Sequence, residues 1–319
     1  MHFNKAVFLD LDSMGSNLDL SALGPLATHW EQHSTTAPGE TLERVRDAEL
    51  VISNKVVLDH AILAECKQLK LICIAATGTN NVDLKAAREL GIAVSNVTAY
   101  GTPSVVQHVF SMLLALTTRL EEHHEAARDG QWADSPYFCI LDMPFRELAG
   151  KTFGIIGYGE LGHGVARVAE AFGMELLISQ RPGTEMQQGR VSLNDLLKRS
   201  DVVSLHIPLA DNTRNLIGAE QLGLMKPDAI LINTARGGIV DELALADALT
   251  TGNIGGAGFD VLTVEPPREG NVLLKLDLPN LIITPHVAWA AIESRQRLMD
   301  QVVDNIKMFL KGTRHNRVE

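Results

Sequence analysis

The sequence predicts an α/β fold of doubly wound parallel sheets arranged in two domains. Three observations carry that prediction. Short apolar runs of strand length recur along the chain, each separated from the next by a stretch of helical periodicity. One of these units holds Gly157, Gly159 and Gly162 in G-x-G-x-x-G spacing between a strand and a helix. The length, 319 residues, exceeds what a single core usually organises, because domains run to roughly 100–200 residues.

Taken in order, the strand candidates are Ala6–Leu9, Leu50–Ile52, Leu71–Ala75, Phe153–Ile156, Leu176–Ile178, Val202–Leu205, Ala229–Ile232 and Ile254–Phe259, with a further one before Pro285. Their near-continuous apolar character suits strands covered by helices on both faces. Between them, Ser192 and Asp195 have capping-box spacing, and Asp241 opens a helix over "ELALADALTT" that stops at Gly252. The stretch from Pro103 to Gly130 reads as one long helix that turns from apolar to charged, a connector between domains. A second long amphipathic helix is predicted over Ile292 to Leu310.

Composition narrows the function classes. Hydrophobic residues make up 45% and charged residues 21%, values of a globular protein with a sizeable core. A net charge of -11 repels a polyphosphate backbone and argues against nucleic acid as partner. Cys66, Cys73 and Cys139 show no metal-ligand spacing, and their odd number argues against a disulfide framework. No metal is expected. No run approaches ~18 apolar residues, and the N-terminus meets acidic residues too early for a signal peptide, so a cytoplasmic protein without a membrane partner is expected.

The glycine motif follows the strand at 153–156 and opens a helix leading to another strand, which is the context a dinucleotide fingerprint requires. Gly157 allows the tight turn, Gly159 the approach of a pyrophosphate, and Gly162 close helix–strand packing, with the helix N-terminus facing the phosphates. A Gly-rich turn of this kind also serves S-adenosylmethionine sites. The acid that holds an NAD ribose should end the strand at 176–178, but Ser179, Gln180 and Arg181 stand there. Gln180 bonds a hydroxyl without repelling phosphate, and Arg181 suits a 2′-phosphate, so NAD(H), NADP(H) and dual use all stay open.

Three later segments place polar groups just beyond strands, where ligands bind in open α/β sheets. Arg236 follows the strand 229–232, Asp260 and Glu265 follow Phe259, and His286 follows "LIITP". Carbonyl reduction needs a cation to clamp a carboxylate, an acid to protonate the new alkoxide, and a carboxylate to keep that acid charged. Arg236, His286 and Glu265 supply these. Taken singly, each suits a surface or structural role as well.

Carried by "AATGTNNVDLKAA", "GIIGYGELG", "SDVVSLHIPL", "LMKPDAILINTARGGIVDE", "GAGFDVLTVEPP" and "ITPHVAWA", the chain resembles the D-isomer-specific 2-hydroxyacid dehydrogenases over nearly its whole length. Within them it is most similar to the glycerate dehydrogenase (hydroxypyruvate reductase) branch. The resemblance implies a Rossmann dinucleotide-binding domain at 100–290 and a flavodoxin-like substrate domain split between 1–99 and 291–319. It makes Arg236, Glu265 and His286 the catalytic triad and brings Asp260 to the nicotinamide. Further cofactor contacts are implied at Glu160, Leu161, His206, Pro208, Thr213, Thr234 and Ala235, alongside the three motif glycines, Gln180, Arg181, Arg236 and His286. Substrate contacts are implied at Asn54 and in an anion nest at Thr77-Gly78-Thr79, together with Arg236 and His286. The implied reaction takes hydride from NAD(P)H to hydroxypyruvate, with glyoxylate as a second substrate, in a homodimer. A dinucleotide-sensing corepressor and a phosphite dehydrogenase share the same signature and stay open. The chain departs from the family pattern at Gln107, Gln180 and Ile140-Leu141, positions that bear on substrate and cofactor preference; Trp289 fits the branch.

Overall fold

Apolar runs become strands here because helices cover both sides of each sheet. The computed structural model describes residues 2–181 and 183–319, and the chain divides into two units: Met1–Gly101 with Ala290–Glu319, and Thr102–Trp289.

The first unit runs β1 (Phe3–Phe8), β2 (Ala27–Gln32), α1 (Thr41–Val45), β3 (Leu50–Ser53), α2 (His60–Glu65), β4 (Leu71–Ile74), α3 (Leu84–Glu89) and β5 (Ala93–Ser95). All its strands are parallel, in the order β2-β1-β3-β4-β5, which is the flavodoxin-like winding. Asp59 and Asp83 start α2 and α3 by accepting the N–H groups of Ile62 and Ala86. The strand β2 was not among the apolar runs: its residues ATHWEQ form a sheet edge and are mostly exposed or half-buried, so no continuous apolar signal marks it.

The second unit begins with α4 (Thr102–Thr118) and α5 (Leu120–Arg128) and continues through β6 (Thr152–Ile156), α6 (Glu160–Ala171), β7 (Glu175–Ile178), α7 (Leu193–Arg199), β8 (Val202–Leu205), α8 (Ala219–Leu224), β9 (Ile230–Asn233), α9 (Glu242–Thr250), β10 (Gly256–Phe259) and β11 (Leu281–Ile283). Its parallel sheet has the order β11-β10-β9-β8-β6-β7. From β6 the chain goes to β7 on one side and then to β8 on the other, so the switch point, where doubly wound sheets hold their ligands, lies between β6 and β8. Successive strand residues feed opposite faces. Phe153, Ile155, Val202 and Ile232 pack under α4 and α6, while Ile156, Val203, Leu205 and Leu231 pack under α7, α8 and α9.

The expected long connector helix is corrected in two respects. It breaks at Arg119, whose φ of 52° ends α4 before α5 begins, a left-handed turn that an L residue cannot propagate. And α4 belongs to the second unit from its start, because Val105, Val109, Phe110 and Leu113 are part of that unit's core. The chain then returns to the first unit as α10 (Ile292–Leu310), which buries Leu298, Met299, Val302 and Ile306. Beyond α10, Val318 donates its N–H to the Val94 carbonyl, closing the β5 edge. All three cysteines are free; burial pushes the Cys66 thiol up to about 11 and the Cys73 thiol up as well. No helix of the described residues is long and apolar enough to cross a membrane.

Candidate active site

The glycines at the end of β6 are demanded by crowding. Gly157 has φ +101°, and a Cβ on Gly162 would fall on the Gly157 carbonyl oxygen. Gly159 is the N-cap of α6 with no side-chain cap, and a Cβ there would meet open space; a helix start without a side-chain cap offers its first-turn N–H groups to an anion. The Glu160 carboxylate is turned to the Thr102 hydroxyl at 2.5 Å, and Leu161 packs on the core under α4 and α6.

Beyond β8, His206 Nε2 meets Ser204 Oγ at 2.9 Å, while its shielded Nδ1 has no partner. Burial pushes the His206 imidazole down to about 4. Thr213 folds the following turn, donating to the Pro208 carbonyl at 2.8 Å and accepting the Ala210 N–H at 2.7 Å. Beyond β9, Asn233 folds the Thr234-Ala235-Arg236 turn by accepting the Ala235 N–H and donating to the Arg236 carbonyl, both at 3.0 Å. The buried Thr234 hydroxyl has no partner. Two orphaned polar atoms, at neighbouring strand ends beside an uncapped helix, are the chemistry a dinucleotide completes.

At the end of β7, Gln180 bonds within its own loop, donating from Nε2 to Thr184 Oγ1 and the Glu185 carbonyl and accepting the Gln187 N–H at Oε1. It staples that loop, while Arg181 beside it is exposed.

The remaining strand ends bring Glu265 and His286 together. Glu265 Oε1 accepts the Leu262 N–H at 2.7 Å, and its Oε2 lies 2.6 Å from His286 Nδ1. Burial pushes the Glu265 carboxyl upward, but the bonds from His286 and Leu262 and the charges of His286 and Arg236 outweigh it and hold it below the usual range. Arg236 reaches Glu265 only through its charge; its Nη1 donates to the Ala235 carbonyl at 2.7 Å. Gly237 makes this approach possible, since a Cβ there would fall on the Leu262 carbonyl. Glu242, at the start of α9, braces the same loop by accepting the Thr263 N–H at 2.6 Å and an Asn271 amide proton at 2.7 Å. Asp260 is buried and accepts the N–H groups of Val287 and Ala288, both at 2.8 Å, and the Thr284 hydroxyl at 2.6 Å. His286 itself has φ 54°.

Glu242, Thr284 and His108, which meets Thr284 from α4, were not singled out from the sequence. Only His108 left a signal, as a polar residue on the apolar face shared by Val105 and Met112. Among the described residues no cluster of His, Cys, Asp or Glu suits a metal ion. In the first unit, Asn54 and Thr77-Gly78-Thr79 follow the neighbouring strands β3 and β4. The Asn54 N–H donates to Asp10 at 2.9 Å and its amide to Ser13 Oγ at 3.1 Å, while Asn96 holds the Thr77 carbonyl at 2.8 Å.

A doubly wound sheet with an open glycine turn at its switch point and a His–Glu pair at later strand ends has the architecture of nicotinamide-dependent dehydrogenases. The chain belongs to the D-isomer specific 2-hydroxyacid dehydrogenase family, whose NAD binding domain matches residues 110–288. It is 47% identical to a glycerate dehydrogenase of Methylorubrum extorquens, covering 99% of each chain. It is 39% identical to a hydroxypyruvate reductase of Blautia hydrogenotrophica, covering 97% of this chain and 95% of the other. An acyclic imino acid reductase solved with NADPH and D-Arg superposes with a TM-score of 0.85 at 28% identity, covering 99% of this chain and 100% of that one.

Proposed function

We propose that this dehydrogenase reduces hydroxypyruvate, with glyoxylate as a second substrate, to the D-2-hydroxy acid. The observation that carries the reading is the 2.6 Å pairing of His286 Nδ1 with a Glu265 carboxylate held in its ionised form. Bound NAD(P)H supplies the hydride. Arg236 presents a planar fork to the substrate carboxylate. Because Nδ1–H of His286 donates to Glu265, Nε2 carries the proton that passes to the carbonyl oxygen as the carbon is reduced. The imidazolium becomes a neutral imidazole still bonded to Glu265, so charge and protons balance. Asp260 is the proposed nicotinamide contact, and the Gly157–Gly162 turn with His206, Pro208, Thr213, Thr234 and Ala235 the rest of the cofactor site. On the first unit, Asn54 and the Thr77–Thr79 turn are the proposed anion-holding groups.

Both NADH and NADPH are proposed as cofactors, since no acid ends β7 and Arg181 is exposed beside it. The full-length likeness to a glycerate dehydrogenase favours turnover over a corepressor or a phosphite dehydrogenase. A homodimer is proposed through the second unit, where Trp132, Tyr137, Phe138, Leu141 and Phe145 are exposed on one segment. Free cysteines suit a cytoplasmic location. The test is steady-state reduction of hydroxypyruvate, glyoxylate, pyruvate and phosphohydroxypyruvate with each reduced cofactor. Hydroxypyruvate should have the highest kcat/KM; a protein that turns over none of them overturns the reading.

A further inference from the structure

Resting on that reading of His286, we propose that His108 is its positioning residue, acting from α4 through Thr284 and Asp260. His108 is largely buried, with 19% of its side chain exposed, and its Nε2 lies 2.8 Å from Thr284 Oγ1 and 3.5 Å from Asp260 Oδ1. A hydroxyl has one proton to give. Thr284 donates it to Asp260 Oδ1 at 2.6 Å, so Thr284 Oγ1 accepts from His108, and Nε2 is the protonated nitrogen.

The chain of bonds continues to the proposed proton donor. Asp260 accepts the Val287 and Ala288 N–H groups, the two amides that follow His286. On its other side, His286 donates its own N–H to the Thr284 carbonyl at 3.0 Å. The histidine is thereby clamped between two segments in the left-handed region, which a bulky L residue rarely occupies and which persists only where its surroundings enforce it. That clamp aims Nδ1 at Glu265. Removing the His108 donor frees the Thr284 hydroxyl to rotate, Asp260 loses one of the bonds that orient its carboxylate, and the 286–288 backbone loosens.

The test uses the full-length protein with His108→Ala, His108→Gln, Thr284→Val and the double variant His108→Ala/Thr284→Val. Amide hydrogen exchange at Val287 and Ala288 is read beside steady-state kinetics. In His108→Ala, exchange at these two amides should rise by about tenfold or more while that of β8 is unchanged. The turnover number should fall about ten- to a hundredfold, the factor for one lost hydrogen bond to a charged network, with the keto-acid KM within about threefold because Arg236 lies outside the chain of bonds. The His108→Gln variant, whose amide can donate from nearly the place of Nε2, should recover most of both. The double variant should be no worse than Thr284→Val alone, since both changes break one path. Unchanged exchange at Val287 and Ala288, no recovery in His108→Gln, or additive losses in the double variant overturns the proposal. If His108→Ala does not fold, His108→Gln against Thr284→Val still decides it: near wild-type exchange in the first with raised exchange in the second supports it, and equal exchange in the two overturns it. Failure of the wild-type protein to reduce any keto acid removes the functional reading instead, and the exchange data stand apart from that result.

Discussion

At Arg236 the chemistry depends on shape as much as on charge. A guanidinium offers two parallel N–H donors to a carboxylate, an ammonium only a point charge. Arg236→Lys is expected to lower kcat/KM by about two decades or more, loss of a bidentate charge-assisted pair being the mechanism; steady-state kinetics within threefold of wild type would remove Arg236 from the substrate. For Glu265 the direction of its shift sets the sign of a pH effect. A carboxyl held low in the folded protein stays ionised as pH falls, so its contribution is present above its unfolded value and lost only on acidification through the folded one. Through the neutral range it faces His286 Nδ1 as an anion, opposite in charge to the imidazolium that the proposed reduction consumes. Glu265→Gln should therefore move the alkaline limb of kcat/KM for reduction to lower pH with cofactor affinity unchanged. Between pH 5.5 and 9 an unmoved limb would sink the pairing. The residue types were legible from the sequence, because carbonyl reduction requires those chemistries and the strand ends bracket them. The bonds of Gln180 were not: only the positions of Glu185 and Gln187 show that its amide is held by its own loop, and its ribose contact remains a proposal.

At the scale of elements, strands announced themselves where they form apolar runs, which includes the edge strands β7 and β11, and β2 stayed silent because its residues are mostly exposed or half-buried. The break at Arg119 was also silent, since nothing in its residue type demands a positive φ. Loops beyond the strands are fitted more tightly than their composition suggests. Gly237 lies so close to the Leu262 carbonyl that any Cβ forces the 262–265 segment away. Gly237→Ala should displace Glu265 from His286, reproducing the alkaline-limb shift of Glu265→Gln and costing roughly 1–3 kcal/mol of stability from the forced backbone movement. The combined pH profile and thermal melt check it; a wild-type profile would show that the loop accommodates the methyl without moving Glu265.

For the whole molecule, two properties follow from groups that no local motif contains. His206 titrates near 6.5 when unfolded and about 4 when folded, so between those values the unfolded chain binds a proton that the native chain does not. Stability therefore falls as pH drops from 6.5 to 4, and His206→Gln should flatten that slope by one proton in urea midpoints measured across the window. Equal slopes would show that His206 is not held neutral. The second prediction rests on the proposed homodimer: Phe138, 90% exposed, sits amid the aromatic segment, and Phe138→Asp should weaken that proposed dimer and shift sedimentation toward monomer. A wild-type monomer at micromolar concentration would remove the dimer. What the sequence determined by itself was the α/β class, the dinucleotide turn and the residues waiting at strand ends, because these are written in periodicity, glycine spacing and order along the chain. Tertiary structure alone decided which of them touch. His108 and Thr284 lie 176 residues apart and His286 and Glu265 21 apart, and they meet because strand order and the crossing of α4 set their distance, not their spacing.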